Sequence, residues 1–566
     1  MLDQSIASRS LVAFLQPEPA ASDSWSDERS CTLRCGPIAA APAGDEDAAP
    51  TVRIDRAIGD LEVTVLLSSV VQLFHHRRGE VLYITTDPRW LRTADLPLDD
   101  EAVYCLLQFG ALLPPLSMWN AIRRFTPGRR VTIRGDRFSM REEPLPFWTK
   151  PRGPASTVRA VPTPAEQEES VRRTLDRALE RCAPDRAPLI LFSGGVDSGL
   201  LAARTAALGW RDTVLVNYRT GAQDPEGDLA RAMAAHLGHR FECAMDDPGS
   251  WRRFLDTIGS TYAQPQGDYS TLPIFMTVQR ALEVRDARKV LLDGSAADGV
   301  FGGFPRLPRW ERLYKLPLPF RLAGAAAFRL RHCWTESSSS ARKLAAMRAS
   351  CQMPILLSST SIENALLGVA YTADPAVRKA LFDRTRQWVD EQFALPHDTE
   401  VDPRTRGLDL MHLVCGMVAQ KSASPLLGSQ LSGAFPFLEP EIMRLGFEQG
   451  VHWPEQRESK AVLKRLLARS VPREMVYRPK SGPKPPITAQ LASPAIAEML
   501  REAVLGVKNP LRPYLKLDVV RELVECAARG TPLPNPSYNL LWTLFVTALW
   551  FDQIERESKR ASSTAR

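Results

Sequence analysis

The chain has 566 residues, of which 44% are hydrophobic and 24% charged, a composition typical of a soluble globular protein with two domains. Its net charge of +7 is small for this length, and without a long basic run nothing indicates nucleic-acid binding. We expect no signal peptide, because the N-terminus lacks a basic region followed by an apolar core, and no membrane span, because no apolar run is long enough. Nine scattered cysteines favour a reducing cytoplasm.

The N-terminal part of the chain predicts a small α+β domain. Residues 16–50 are rich in Pro, Ala, Ser and Asp, which indicates a loop or an insertion. Strand-like segments follow at 61–67 and 80–85, and a helix is predicted at 99–109. The segment 122–133 then indicates a turn that enters another strand.

A Pro-, Ser- and Ala-rich stretch at 151–164 predicts a linker, so we place two domains at 1–153 and 154–566. Beyond the linker, predicted strands and helices alternate. This alternation predicts fold class α/β, a doubly wound parallel sheet with helical additions. The alternating elements are a helix at 164–183, a strand at 189–192, a helix from about 198, a strand at 213–218 and a helix at 227–237.

The segment Ser-Gly-Gly-Val-Asp-Ser at 193–198 lies between the first of these strands and its helix. Glycines allow the backbone to approach a phosphate closely, and a helix N-terminus favours an anion. The segment lacks the lysine of a Walker A loop. Asp197 would repel a phosphate unless a cation lay between them, so this loop predicts Mg²⁺ as well.

A further strand is predicted at the start of the segment 289–304 and leads into a Gly- and Ala-rich loop, the second loop. This loop contains Asp298, and two carboxylates that face one triphosphate suit a metal-assisted phosphoryl leaving group. The alternative for Asp298 is a helix cap or a turn residue.

The next region, 305–400, is basic, aromatic and helical in its pattern. We favour a solvated and partly buried helical subdomain over a face that docks a membrane or a peptide. The serines at 337–340 predict a disordered loop.

Five segments together resemble the asparagine synthetase family. The loop at 193–198 resembles the pyrophosphate loop of the N-type ATP pyrophosphatases, which cleave ATP between the α- and β-phosphates and leave AMP on the substrate. The loop at 289–304 resembles the second conserved loop of the synthetases. Segments 434–441, 459–465 and 476–482 resemble the family's Pro-Phe-Leu-Asp, Lys-x-x-Leu-Arg and Arg-Pro-Lys-x-Gly motifs.

The resemblance implies a set of functional residues. It implies Mg²⁺ at Asp197 and Asp298. It implies that Lys480 stabilises charge on the acyl-adenylate, the alternative being a surface lysine. The residues that the resemblance assigns to ATP are Leu191, Phe192, Ser193, Gly194, Gly195, Asp197, Ser198, Val216 and Gly294.

The N-terminal domain resembles the amidotransferase half of the family, with one departure. Working glutaminases of the family carry a cysteine directly after the initiator methionine, whereas this sequence has Leu2. We therefore expect a degenerate Ntn-amidotransferase-like domain that has kept a structural role.

The second loop departs from the family at two positions. Ser295 stands where the family has an acidic residue or a tyrosine that handles the proton of the nucleophile, and Gly299 replaces a glutamate. Serine is not a base at neutral pH, which argues against the usual asparagine synthetase and β-lactam synthetase chemistry. Three carboxylates remain candidates for the proton acceptor: Asp293, Asp268 and Glu439.

Three kinds of family member fit an inactive amidotransferase half: a lasso peptide macrocyclase, a β-lactam or carbapenam synthetase, and a stand-alone amide ligase. A peptide α-amine has a pKa of about 8, so about a quarter of it is neutral near pH 7.5 and needs no strong base. This favours the macrocyclase, with a precursor peptide, a leader peptidase and a leader-binding protein as its partners. A nucleotide-binding scaffold without catalysis is the alternative from another class.

Overall fold

The structure is a computed structural model, and it describes most of the chain with gaps. The described residues are 12–15, 24–26, 30–34, 51–55, 61–66, 70–79, 81–93, 96–134, 139–144, 163–302, 312–336, 338–351, 370–372, 374–392, 406–407, 410, 417–427, 429–448, 458–478 and 486–564. The linker predicted at 151–164 lies almost wholly outside them, so the domain boundary at 153/154 stays a prediction.

Two sheets pack face to face in the N-terminal part. One has six antiparallel strands in the order β10-β9-β5-β4-β3-β2, and the other has the order β1-β7-β6-β8. Alternate apolar residues of β5, β7 and β9 point between the sheets and form a separate small core. The elements are β1 Val12–Leu15, β2 Ser24–Ser26, β3 Ser30–Arg34, β4 Thr51–Asp55, β5 Leu61–Val65, β6 Phe74–Arg78, β7 Val81–Thr85, α1 Asp100–Phe109, β8 Arg123–Arg124, β9 Arg129–Arg134 and β10 Ser139–Pro144.

The structure confirms the strands predicted at 61–67 and 80–85 and the helix predicted at 99–109, but the loop predicted at 16–50 is wrong in part. Strands β2 and β3 lie within it, and β3 pairs along its whole length with β4. Composition does not indicate these strands, because polar and small residues have a low intrinsic preference for strands. Here the hydrogen bonds to the neighbouring strand hold them in place.

The C-terminal part contains the predicted parallel sheet. Its five strands have the order β13-β12-β11-β14-β15, and every neighbouring pair is parallel, with Leu189 opposite Val214 on one side and Leu291 on the other. Strand β11 is therefore central and nearly buried, which explains its continuous apolar run. The strands are β11 Leu189–Leu191, β12 Val214–Arg219, β13 Arg240–Met245, β14 Val290–Leu292 and β15 Ser432–Ala434.

Helices cover this sheet and extend beyond it. The predicted helix at 164–183 is confirmed as α2, which Thr163 and Glu166 start with a capping box. The helices of this part are α2 Pro164–Cys182, α3 Val196–Ala207, α4 Pro225–Leu237, α5 Pro248–Thr261, α6 Thr271–Val284, α7 Ala297–Phe301, α8 Leu318–Leu330, α9 Ser339–Ser350, α10 Pro375–Gln392, α11 Val418–Ala423, α12 Pro440–Glu448, α13 Ala461–Leu467, α14 Arg473–Val476, α15 Ile487–Leu491, α16 Pro494–Leu505, α17 Leu517–Ala528 and α18 Asn535–Thr564.

The region predicted to be helical at 305–400 contains α8, α9 and α10 among its described residues. The loop predicted at 337–340 is wrong from residue 338 onwards. Ser338 is the N-cap of α9, and its hydroxyl accepts a hydrogen bond from the Ala341 N–H at 3.2 Å. A run of serines is compatible with a disordered loop, but serine is also one of the best residues for starting a helix.

The long helix α18 joins the two halves of the molecule. The Trp550 ring lies 5.6 Å from the Trp119 ring of the N-terminal half, measured between centroids, and its indole N–H donates to the Tyr262 carbonyl at 2.7 Å. Trp542, which precedes Trp550 in the same helix, stacks on Phe254 with 5.8 Å between the ring centroids. One continuous apolar core therefore runs from α1 to α18. Within the described residues, no helix combines the length and the apolarity that a membrane span requires.

We expect Trp550→Ala to lower the free energy of unfolding by about 3–5 kcal/mol, because it leaves a cavity between the two halves and an unpaired carbonyl at Tyr262. Leu549→Ala, on the partly exposed side of the same helix, is the matched control with a smaller expected loss. Urea unfolding followed by tryptophan fluorescence and by circular dichroism measures both. Equal losses for the two variants would contradict a central role for this helix face.

Candidate active site

The predicted phosphate loop bends on itself between β11 and α3. The Ser198 hydroxyl accepts a hydrogen bond from the Ser193 N–H at 3.1 Å, and the Ser193 hydroxyl accepts one from the Gly195 N–H at 3.2 Å. The 12-residue helix α3 begins at Val196, directly after this bend. The positive end of its dipole therefore lies at the loop, where it favours an anion.

Gly194 is the residue that this bend requires. Its φ of +68° lies in the left-handed region, and a Cβ built on it would lie 2.9 Å from the Ala230 Cα of α4. Its carbonyl accepts a hydrogen bond from Arg478 at 3.3 Å, and Arg478 also pairs with Glu226 at the start of α4. Arg478, the first residue of the Arg-Pro-Lys segment, thus contacts the phosphate loop. Lys480 itself lies outside the described residues, so its catalytic role stays a prediction.

The second loop begins directly beside the first, because β14 is a neighbour of β11 in the sheet. A Cβ on Gly294 would lie 3.2 Å from the Ser198 backbone nitrogen, so a side chain here would crowd the start of α3. The Asp293 carboxylate accepts hydrogen bonds from the Ser295 N–H at 2.8 Å and from the Ser295 hydroxyl at 2.7 Å. It also accepts one from the Ser422 hydroxyl at 2.5 Å.

The two carboxylates predicted to hold a metal meet at the ammonium group of Lys460. Its Nζ lies 2.6 and 2.5 Å from the two carboxylate oxygens of Asp197 and 2.7 Å from Oδ1 of Asp298. Burial, the largest effect, would lower the pKa of Lys460, but the two carboxylates outweigh it and hold the pKa above its ordinary value. No role for Lys460 is predicted from the sequence, although the residue lies in the segment 459–465 that resembles a family motif.

The arrangement fits a divalent cation, because Asp197 and Asp298 already converge on one positive charge. Mg²⁺ prefers oxygen ligands and takes one or two carboxylates together with phosphate oxygens and water. In the described part of the chain, no group of three or more His, Cys, Asp and Glu side chains is placed to hold a metal. A metal here would therefore complete its coordination with the phosphates of a nucleotide.

A second buried ion pair lies beside the second loop. Lys421, whose side chain is 2% exposed, donates to Asp268 at 2.5 Å and to Ser270 at 2.7 Å. Burial would raise the pKa of Asp268, but the charge and hydrogen bonds of Lys421 and the hydrogen bonds of Ser270 hold it below its ordinary value. Because Ser422 bonds Asp293, the short helix α11 ties the Asp268 loop to the second loop.

The N-terminal half contacts the Asp268 loop directly. The Gly267 N–H donates to the Gly110 carbonyl at 2.6 Å, and a Cβ on Gly267 would lie 2.1 Å from the Thr543 hydroxyl of α18. The loop is thus wedged between α1 and α18. Through this contact the N-terminal half supports the loop that carries Asp268.

The structure separates the three candidate proton acceptors. Asp293 contacts Ser295, whereas Asp268 is held by Lys421 and Glu439 pairs with Arg181 at 2.9 Å beside α2. Asp293 is thus hydrogen-bonded to the loop at 293–298, whereas Asp268 and Glu439 are each held in an ion pair.

The remaining nucleotide-binding predictions fall at the carboxyl end of β11 and within β12. Leu191 is partly buried and Phe192 is buried. The Val216 side chain is fully buried in an apolar cluster with Leu189 and Leu291, and its carbonyl accepts from the Phe192 N–H at 2.8 Å. A contact between Val216 and adenine stays a prediction.

We expect Gly194→Ala to weaken ATP binding about tenfold or more, because the added Cβ clashes with Ala230 and a left-handed alanine is strained by about 1–2 kcal/mol. Gly209→Ala is the matched control, since Gly209 has φ +76° with no atom within 4 Å of the added Cβ. Calorimetric titration with ATP and Mg²⁺ measures the affinity. Equal affinities in the two variants would show that the bend does not form the nucleotide site.

We expect Asp268→Asn to lower the free energy of unfolding by about 3 kcal/mol at pH 7, because it leaves the Lys421 charge buried without its partner. The folded-state pKa of Asp268 lies below its unfolded value of about 3.9. Its stabilising effect is therefore present above that value and is lost as the pH falls through the folded pKa. Urea unfolding from pH 7 downwards should show the gap between wild type and variant narrowing in acid.

Asp286→Asn is the control for that experiment, because the Asp286 carboxylate is exposed and pairs with Arg288 on the surface. A gap that stayed constant at all pH values, or one as small as that of the control, would contradict the ion-pair account.

Comparisons with known proteins agree with this geometry. The family model described as asparagine synthase matches residues 170–552, which include both loops, Lys460 and the Asp268–Lys421 pair. Proteins of Mycobacterium tuberculosis and Mycobacterium bovis, provisionally named asparagine synthetase (glutamine-hydrolyzing), are 25% identical over 472 residues, which cover 81% of this chain and 68% of theirs. The family match spans well over half of the sequence, and the chain therefore belongs to the asparagine synthase family.

Proposed function

We propose that this chain, an ATP-dependent amide ligase at the level of its family, is a lasso peptide cyclase. It would activate an Asp or Glu side chain of a precursor peptide with ATP and join that side chain to the N-terminal amine of the same peptide. The observation that carries the proposal is the pairing of an intact cation-and-carboxylate cluster, Asp197–Lys460–Asp298, with a serine at position 295 in the neighbouring loop.

The first step uses the cluster beside the phosphate loop. The substrate carboxylate attacks the α-phosphorus of ATP, a P–O bond to the β-phosphate breaks, and pyrophosphate leaves with its negative charge. Mg²⁺, when bound to Asp197 and Asp298, supplies charge neutralisation for that leaving group. Lys460 adds a buried positive charge beside the phosphate loop, and a positive charge next to a developing negative charge is worth several kcal/mol in such a site.

The second step needs an amine that is already partly neutral. The neutral peptide α-amine attacks the acyl-adenylate carbonyl, the C–N bond forms, and AMP leaves as the C–O bond to the phosphate breaks. The nitrogen gives up one proton in this step, for which Asp293 is the candidate acceptor beside this loop. The Ser295 hydroxyl donates a hydrogen bond to Asp293, and a serine hydroxyl is not a strong base at neutral pH, so Ser295 is not suited to deprotonate an ammonium group. A peptide amine with a pKa of about 8 suits such a site better than a more basic amine does.

Cys105 is the cysteine of the N-terminal half whose side chain the structure describes, and its surroundings do not suit a glutaminase nucleophile. Cys105, at the centre of α1, is fully buried, and burial raises the pKa of its thiol to about 12. Such a thiol is protonated at neutral pH and has no route to a substrate.

The test uses synthetic linear peptides that carry a free N-terminal amine and an internal Asp or Glu, incubated with the protein, ATP and Mg²⁺. We expect a product lighter than the peptide by one water and resistant to aminopeptidase, and no such product from N-acetylated peptides or from peptides with Asn or Gln at the acceptor position. Asp197→Asn should lower the rate by about 100-fold or more, as expected when a charge-stabilising group is lost.

Two outcomes would contradict the proposal. Amide formation from ammonia or glutamine, with the peptide's own amine blocked, would point to an asparagine synthetase-like reaction. Equal background in the wild type and Asp197→Asn, with no amide from any amine, would point to a scaffold without catalysis.

A further inference from the structure

The ammonium of Lys460 occupies the place between two carboxylates that come from different parts of the fold. Asp197 lies in the first turn of α3, Asp298 lies in α7 after the second loop, and Lys460 is the N-cap of α13. The lysine side chain is 6% exposed, and those of the two aspartates are 22% and 21% exposed. Three elements thus meet at one cation.

The electrostatics of this cluster make the lysine and the two carboxylates interdependent. Two carboxylates this close would repel each other without a cation between them, and a buried ammonium without a carboxylate would be strongly disfavoured. The three side chains together carry a formal charge of −1. A divalent ion in place of the ammonium would make the two carboxylates and their cation neutral.

The backbone holds Lys460 in place. Its φ of +53° and ψ of +36° lie in the left-handed region, which costs a non-glycine residue about 1–2 kcal/mol and points to a functional constraint. Helix α13 that follows is fixed by Arg465, which donates to the buried Glu168 at 2.7 Å. It also packs against α3, where a Cβ on Gly199 would lie 3.2 Å from Leu467. The base of the lysine is therefore rigid, and only its side chain is free to change partner.

We propose that Lys460 acts as a resident cation that holds the two carboxylates together in the nucleotide-free protein and yields its position to the divalent ion that arrives with ATP. The ammonium then pairs with the phosphates. Both aspartates keep a cation throughout the exchange. The proposal rests on the ATP and metal part of the proposed function and does not depend on the peptide substrate.

A thermodynamic consequence follows from this exchange. Without a nucleotide, a divalent ion must displace the ammonium from its two carboxylates before a phosphate is present to pair with it, so we expect free metal to bind weakly. A triphosphate supplies that anion, so metal and nucleotide strengthen each other's binding by the same factor. The site thereby selects the metal–nucleotide complex over free metal.

The test is a titration with Mn²⁺, whose free form is counted by electron paramagnetic resonance, on the wild type and on Lys460→Met. We expect free Mn²⁺ to bind at least tenfold more tightly to the variant, because no ammonium competes for the carboxylates. We expect Mn²⁺ with α,β-methylene-ATP to bind the variant more weakly than the wild type, because a positive partner of the phosphates is lost. A general structural defect would weaken both kinds of binding.

Lys464→Met is the matched control, one turn further along the same helix, where Lys464 pairs with Glu458 at 3.1 Å. It should bind both ligands like the wild type. If Lys460→Met does not fold, as judged by its circular dichroism and thermal transition, Lys460→Gln takes its place. Adding Asp298→Asn to the lysine variant should abolish the tight Mn²⁺ binding.

Free Mn²⁺ affinity that is unchanged or lower after removal of the ammonium would overturn the proposal. Its failure is distinguishable from that of the ATP assignment. If no variant and no wild-type sample binds α,β-methylene-ATP, the ATP assignment is wrong, while the titration with free Mn²⁺ still tests the exchange.

Discussion

The site depends on one interaction, the contact of the Lys460 ammonium with the carboxylates of Asp197 and Asp298. Each of the three residues begins or lies near the start of a helix, and each helix follows a different loop. Removal of the lysine charge would leave two neighbouring carboxylates without a cation between them, which disfavours the folded arrangement. The two loops and α13 are thus held in one arrangement before any ligand arrives, and preorganisation of this kind is what phosphoryl chemistry requires.

The sheet places these loops where the contact can form. Strands β11 and β14 are parallel neighbours, so their carboxyl ends, and the loops that follow them, lie at the same edge. Gly194 allows the first loop to approach α4 more closely than a residue with a side chain could, and a side chain at Gly294 would crowd the start of α3. Helix α11 also supports this edge, because it bonds both Asp268 and Asp293. The neighbouring Gly267 packs between α1 and α18. The N-terminal half therefore contributes packing to the site, whatever the source of the amine.

Much of this could be predicted from the sequence because it is local. The apolar run before Ser193 predicts a buried strand, the glycines predict a tight bend, and the alternation of elements predicts the parallel sheet. The contacts that complete the site could not be predicted, because Lys460 lies 263 positions after Asp197 and Lys421 lies 153 positions after Asp268. The left-handed backbone conformation of Lys460 could not be predicted from the sequence either, because a lysine gives no indication of it. The missed strand β3 has the same cause, since its stability comes from its partner β4.

The most direct test of the account is a crystal structure of the protein with Mg²⁺ and α,β-methylene-ATP. The account predicts the triphosphate on the loop at 193–198, the metal between Asp197 and Asp298, and the ammonium of Lys460 moved from the carboxylates to a phosphate. A nucleotide bound elsewhere, or Lys460 still joined to both aspartates with the triphosphate in place, would contradict it.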